Sequence, residues 1–119
     1  MNPTLNKIDF FIKQGDTKPS LVATLVDEDE QALDLSAAIA VKFYMILSAE
    51  STPKVNGSAA TIVSAEGGIV HYDWSINDTN TPGDYDAEFE VEWSDGTKTT
   101  FPNFRFMKIR ILKSIDTTD

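Results

Sequence analysis

Cysteine is absent from the chain. Disulfide staples, thiol nucleophiles and thiolate metal sites are therefore excluded, and packing alone has to hold the fold. Histidine occurs once, as His71. A lone imidazole excludes multi-histidine metal centres and leaves one candidate for a Ser-His-Asp arrangement. His71 falls on an expected strand beside Asp73, and no Gly-x-Ser-x-Gly elbow accompanies it. Cations are scarce: 10 Lys and Arg face 19 Asp and Glu, for a net charge of −9. Such a surface repels phosphate backbones and anionic lipid, so neither nucleic acid nor membrane is an expected partner. No apolar stretch approaches the ~18 residues that a membrane span needs. At residues 1–7 no basic segment precedes an apolar one, so no secretion signal is expected, and synthesis in a cytoplasm-like compartment is. Glu66-Gly67-Gly68 lacks the lysine and helix of a phosphate-binding loop.

Hydrophobic residues make up 41% and charged residues 24% of the 119, a globular balance for one domain. That domain is taken as residues 1–119, with a core over about 5–113 and a polar tail at 114–119. Its clearest segment is residues 84–93. Tyr85, Ala87, Phe89, Val91 and Trp93 alternate with Asp84, Asp86, Glu88, Glu90 and Glu92. Strand side chains alternate between faces, so this is a half-buried strand with one apolar and one acidic side. Pro82-Gly83 opens it and Ser94-Asp95-Gly96 closes it. A three-residue turn with Gly96 left-handed pairs Glu92 with Lys98 and Phe89 with Phe101, joining opposite charges and two aromatics across the ladder. A two-residue turn would instead set Phe101 against Glu90, on the acidic side.

The other strands follow the same logic. Residues 5–13 carry Ile8, Phe10 and Ile12 on one face and Phe11 on the other, an edge strand. Residues 20–26 turn Leu21, Ala23 and Leu25 inward. Asp27-Glu28-Asp29-Glu30-Gln31 is a solvated connection; with Gln31 and Ala32 at the fifth and sixth positions it fails as a calcium loop. Ser36 is placed to cap a helical turn that is too short to persist. Val41, Phe43, Met45 and Leu47 face inward on a third strand, with Tyr44 and Ile46 opposite. Apolar residues on both faces mark this strand as central or as covered by a partner. Residues 48–58, with Pro53 and Gly57, read as a mobile loop. Short strands follow at 59–64 and 69–75, the second with Val70, Tyr72 and Trp74 on one face. The last strand spans 104–112, with Met107, Ile109 and Ile111 opposite Phe106, Lys108 and Arg110. About seven or eight strands, with turns roughly every ten residues, predict an all-β, immunoglobulin-like antiparallel β-sandwich. Gly83 followed by Tyr85 at the start of a late strand has the makings of a tyrosine corner, whose hydroxyl bonds upstream backbone. Ala87 then stands where a disulfide-bearing domain has its second cysteine.

Several segments together resemble one family. They include Gly15-Asp16-Thr17 with Pro19, Leu21, Ala23-Thr24-Leu25 and Asp27, then Leu33-Asp34-Leu35-Ser36 with Val41, Phe43 and Met45. Gly68, Val70, Tyr72, Trp74 and Asp78-Thr79 follow, and Pro82-Gly83-Asp84-Tyr85, Ala87 to Val91, Asp95-Gly96 and Thr100-Phe101-Pro102-Asn103 complete the pattern. This resembles the N-terminal domain of phage baseplate upper proteins, the BppU family. The resemblance implies an immunoglobulin-like sandwich in a tail or baseplate, attaching receptor-binding or fibre modules, hence a virion protein. Two departures are Glu30 or Gln31 where the family often has Gly, and Ser36-Ala37-Ala38 where it favours Thr-Gly-Ala. Longer members continue into further modules whereas this chain ends at Asp119, so a small tail, neck or capsid-surface component is a second expectation.

The expected role is non-enzymatic, with other virion proteins and copies of itself as partners and no cofactor or metal. The outward apolar residues Phe11, Tyr44, Ile46 and Phe106 are the candidate partner interface. The acidic row of residues 84–92 reads as a solvated, charge-laddered face, with Lys98, Lys108 and Arg110 offsetting its repulsion; a docking surface for a basic partner or a weak cation site is the alternative. Its uniformity argues against a glycosidase pair. A carbohydrate-binding module is a further alternative, requiring Tyr44, Phe106 and Trp93 to gather on one exposed face.

Overall fold

The strand over residues 84–93 is the spine of the molecule. A computed structural model describes residues 8–103 and 105–115. Among these residues the spine, β7, runs Gly83–Trp93, the seventh of nine strands. The others are β1 Phe10–Lys13, β2 Leu21–Thr24, β3 Ala38–Leu47, β4 Val55–Ala59, β5 Thr61–Ser64, β6 Ile69–Tyr72, β8 Lys98–Phe101 and β9 Met107–Leu112. One sheet has the order β1-β9-β7-β3-β4, with β8 also on β7; the other is β2-β6-β5. The two sheets pack as an all-β sandwich, the architecture class to which immunoglobulin-like domains belong.

Alternation along β7 is kept throughout: Tyr85, Ala87, Phe89 and Val91 are buried and their neighbours are not. Phe43 of β3 sits at the centre of the core. Its ring stacks on Tyr72 of the opposite sheet at 4.5 Å, tilts against Phe89 at 5.1 Å and meets Trp74 edge-on at 5.7 Å. Such ring pairs add to the burial of apolar area that drives the sheets together. The hairpin takes the three-residue turn, pairing Phe89 with Phe101 and Glu92 with Lys98, and Gly96 adopts φ +89°.

Several features differ from the sequence reading. Among the described residues nine strands form where seven or eight were expected, Ile8 and Asp9 lie outside β1, and β6 ends at Tyr72, leaving Trp74 beyond it. Residues 55–58, expected within a loop, join Ala59 to form β4 on the edge of β3, and Val55 is buried. Their ladder forms by long-range pairing with β3, which a segment holding one buried apolar residue and Gly57 does not advertise. The strand expected at 59–64 is divided, because the chain passes from one sheet to the other at Ala60 and β5 starts at Thr61. β1 runs parallel to β9, the exception in an otherwise antiparallel pattern. No hairpin links these two, so no turn dictates their relative direction. The last strand begins at Met107, and Phe104 lies outside the described residues, as do 1–7 and 116–119.

The segment before β7 is tied down by polar contacts. A short 3-10 turn covers Ile76–Asp78. Buried Asp78 accepts the Tyr72 hydroxyl at 2.6 Å and the Ser75 amide at 2.9 Å. Burial first, and Asp78 second, push the Tyr72 phenol well above its ordinary range. Thr79, fully buried, donates its hydroxyl to the Asp16 carbonyl at 2.8 Å.

Candidate functional site

β7 turns its acids to the outer face of the large sheet, and the register brings a cation to most of them. Arg110 and Lys108 of β9 lie opposite Asp84 and Asp86. Lys98 of β8 lies opposite Glu92, and Lys42 of β3 opposite Glu90. Arg110 grips Asp84 with two bonds, Nε to Oδ1 at 2.6 Å and an η nitrogen to Oδ2 at 3.0 Å. Paired parallel bonds of this kind fix orientation as well as charge. Lys108 Nζ donates to the Asp86 carboxylate. Lys42 Nζ reaches diagonally to Glu92 Oε2 at 2.9 Å, with Lys98 at 3.9 Å. The Arg110 guanidinium beside Asp84, and the Lys42 ammonium beside Glu92, hold both carboxyls below the usual carboxylate range. Glu88, between these pairs, has no ion pair among the described residues.

Beside Glu88 the charges give way to apolar side chains. Tyr44 and Ile46 project from β3, Phe106 stands just before β9, and Pro53 arrives from the β3–β4 loop. With Asp86 and Glu88 they line a hollow of about 160 Å³. Tyr44 and Ile46 are half-buried, and Phe106 is 47% exposed. The Tyr44 ring lies close over Gly57 of β4, and its hydroxyl is 3.4 Å from Glu90. Three of the four residues singled out in the sequence are thus brought together. The fourth, Phe11, is exposed on the same face but pairs with Arg110, so β9 and β7 separate it from Ile46. Two members of this surface escaped the sequence reading. Lys42 shares the outward phase of Tyr44 and Ile46, a signal that was present; Pro53 carries no such signal.

The remaining candidates separate from this face. Tyr85 is buried and donates its hydroxyl to the Thr81 carbonyl at 2.6 Å, while Gly83 opens β7 at φ +147°. That backbone conformation strains any residue with a side chain, so glycine suits the start of the strand; the 2.7 Å approach of a Cβ there to Leu47 Cδ1 is to the end of a flexible side chain and adds little. His71 Nδ1 lies 3.2 Å from Asp73 without the alignment of a hydrogen bond. Ser20 donates to Asp73 rather than to the imidazole, so the three residues do not form a nucleophile and base. Trp93 packs against the core and donates Nε1–H to the Thr99 hydroxyl at 3.0 Å. It therefore does not join Tyr44 and Phe106 on one platform.

Fold and face define a class, a small two-sheet sandwich that presents one charge-paired sheet surface with an apolar hollow in it. The BppU N-terminal domain matches residues 2–118, and the chain belongs to that family. Membership makes it a phage baseplate-associated structural protein and implies a place in the virion. No curated protein matches the chain.

Proposed function

We propose that the chain is a non-enzymatic docking module of a phage tail or baseplate, holding other virion proteins and copies of itself through the outer face of the large sheet. The observation that carries this reading is the convergence of Tyr44, Ile46 and Phe106 on one hollow within a field of paired charges. Protein interfaces combine an apolar centre with a polar rim, and arginine is favoured in them. Because Asp84, Asp86 and Glu92 are already matched by cations, covering this face leaves few charges bare. Glu88 remains to receive a basic group from the partner. Tyr85 and Gly83 serve the site indirectly, as a tyrosine corner that fixes where β7 begins.

Mass spectrometry of purified virions tests the role: the chain is expected in particles, and its absence from them refutes the reading. Copy number separates the two placements within the particle. Small multiples of three or six are expected for a tail tip, whereas hundreds of copies would move the chain to the capsid surface.

A further inference from the structure

The edge of the small sheet offers a second surface, independent of the face above. Among the described residues β2 pairs on one side only, with β6. The Leu25 amide donates to the Gly68 carbonyl at 2.8 Å, and Leu21 and Ala23 stand opposite Tyr72 and Val70 in the same phase. Backbone groups alternate in direction along a strand, so those of Val22 and Thr24 point away from β6. Val26 continues the row. Its bridge to Ala32 is bracketed by bonds from Leu33 to Leu25 and from Asp27 to Gln31, which turn its own amide and carbonyl outward too. Three donors and three acceptors at alternate positions thus lie along an open edge.

Proteins usually protect such edges with lysine, proline or a bulge. Here β1 ends on Lys13, β8 starts at Lys98 and is followed by Pro102, β4 bulges at Gly57 and β5 at Val63. Residues 21–26, Leu-Val-Ala-Thr-Leu-Val, hold no lysine, proline or bulge themselves; Lys18 and Pro19 lie just before them. The edge also opens on a cleft of about 610 Å³ between the sheets, walled by Phe10, Phe89, Phe101 and Met107 and by the inward side of β2. At the Val26 end stand Glu28 and Glu30, exposed and without ion pairs among the described residues.

We propose that β2 and this cleft form a strand-addition site for an extended segment of another protein. The segment carries apolar side chains at alternate positions and a basic residue where it meets Glu28 and Glu30. Main-chain bonds to Val22, Thr24 and Val26 supply attachment, and the alternate side chains filling the cleft supply selectivity. The acidic end and the net charge of −9 both select against an acidic segment.

The test uses the full chain with a synthetic peptide, Lys-Lys-Val-Thr-Val-Thr-Val-Lys, followed by amide exchange and NMR. In the free protein the amides of Val22, Thr24 and Val26 are expected to exchange faster than those of Ala23 and Leu25. Saturating peptide is expected to slow the first three about tenfold or more. N-methylation of alternate peptide residues abolishes binding. Thr24→Pro removes one outward N–H without touching the β6 ladder and weakens binding about tenfold. Glu30→Lys weakens the lysine peptide and spares one with serine in place of lysine. The proposal is overturned if these amides gain no protection, if protection appears instead on β4 or β5, or if the N-methylated peptide binds equally well.

Discussion

Replacing Ile46 by lysine separates docking from folding. Ile46 faces outward on β3 opposite Asp86, and it is half-buried in the free domain. A lysine there gains carboxylates at Asp86 and Glu88 and leaves the core untouched. The unfolding free energy is therefore expected to change by about 0.5 kcal/mol or less, as for ordinary surface substitutions. Docking responds differently. Full burial of an isoleucine contributes about 1.5–3 kcal/mol, so the half still exposed contributes about 1 kcal/mol on assembly. On docking, that lysine competes for Glu88 with the partner's basic group, and leaving one of the two cations buried and unpaired adds about 2 kcal/mol or more of cost. The sum, about 3 kcal/mol, corresponds to a roughly hundredfold loss of affinity. Thermal unfolding of the free chain and cosedimentation with particles assembled without it measure the two quantities. Phe11→Lys, off the hollow, is expected to change attachment far less. Unchanged attachment of Ile46→Lys refutes the assignment of this face, and a melting temperature lowered by more than about 10 °C refutes the claim that Ile46 lies outside the core.

Tyr85→Phe strands the Thr81 carbonyl and is expected to cost about 1–2 kcal/mol in urea unfolding, whereas Tyr44→Phe, with its hydroxyl 3.4 Å from Glu90, costs under about 0.5 kcal/mol. Phe43→Ala, at the junction of both sheets, is expected to cost about 3–5 kcal/mol by the same measurement and to abolish the near-ultraviolet circular dichroism of the aromatic cluster. Asp84 and Glu92 titrate below their unfolded values, so the stability they contribute is present above about pH 4 and is lost as pH falls through their folded values. Urea midpoints are accordingly expected to stay level from pH 7 to about 5 and fall below about 4, with Lys42→Met removing the Glu92 share of that fall.

How much of this was readable without coordinates follows from where each signal resides. The alternation of residues 84–93 and the choice of turn were legible, because inward and outward partners are written into one continuous segment and its hairpin neighbour. β4 was not, since Val55 is its only buried residue and the ladder to β3 is a long-range event. The parallel pairing of β1 with β9 joins the two ends of the chain, and no local pattern encodes it. At the site, the outward phase of Tyr44, Ile46 and Phe106 could be read from alternation, but their convergence could not. It depends on β7 lying between β3 and β9, which brings segments some sixty positions apart onto one surface. Phe11 shows the limit of phase alone: it has the right direction and the wrong place.

The most direct test is a density map of the intact particle into which this domain can be fitted. The account predicts that a neighbouring chain covers Tyr44, Ile46 and Phe106, with a basic group beside Glu88. A particle in which the outer face of the large sheet stands open to solvent, the domain being held from elsewhere, contradicts it.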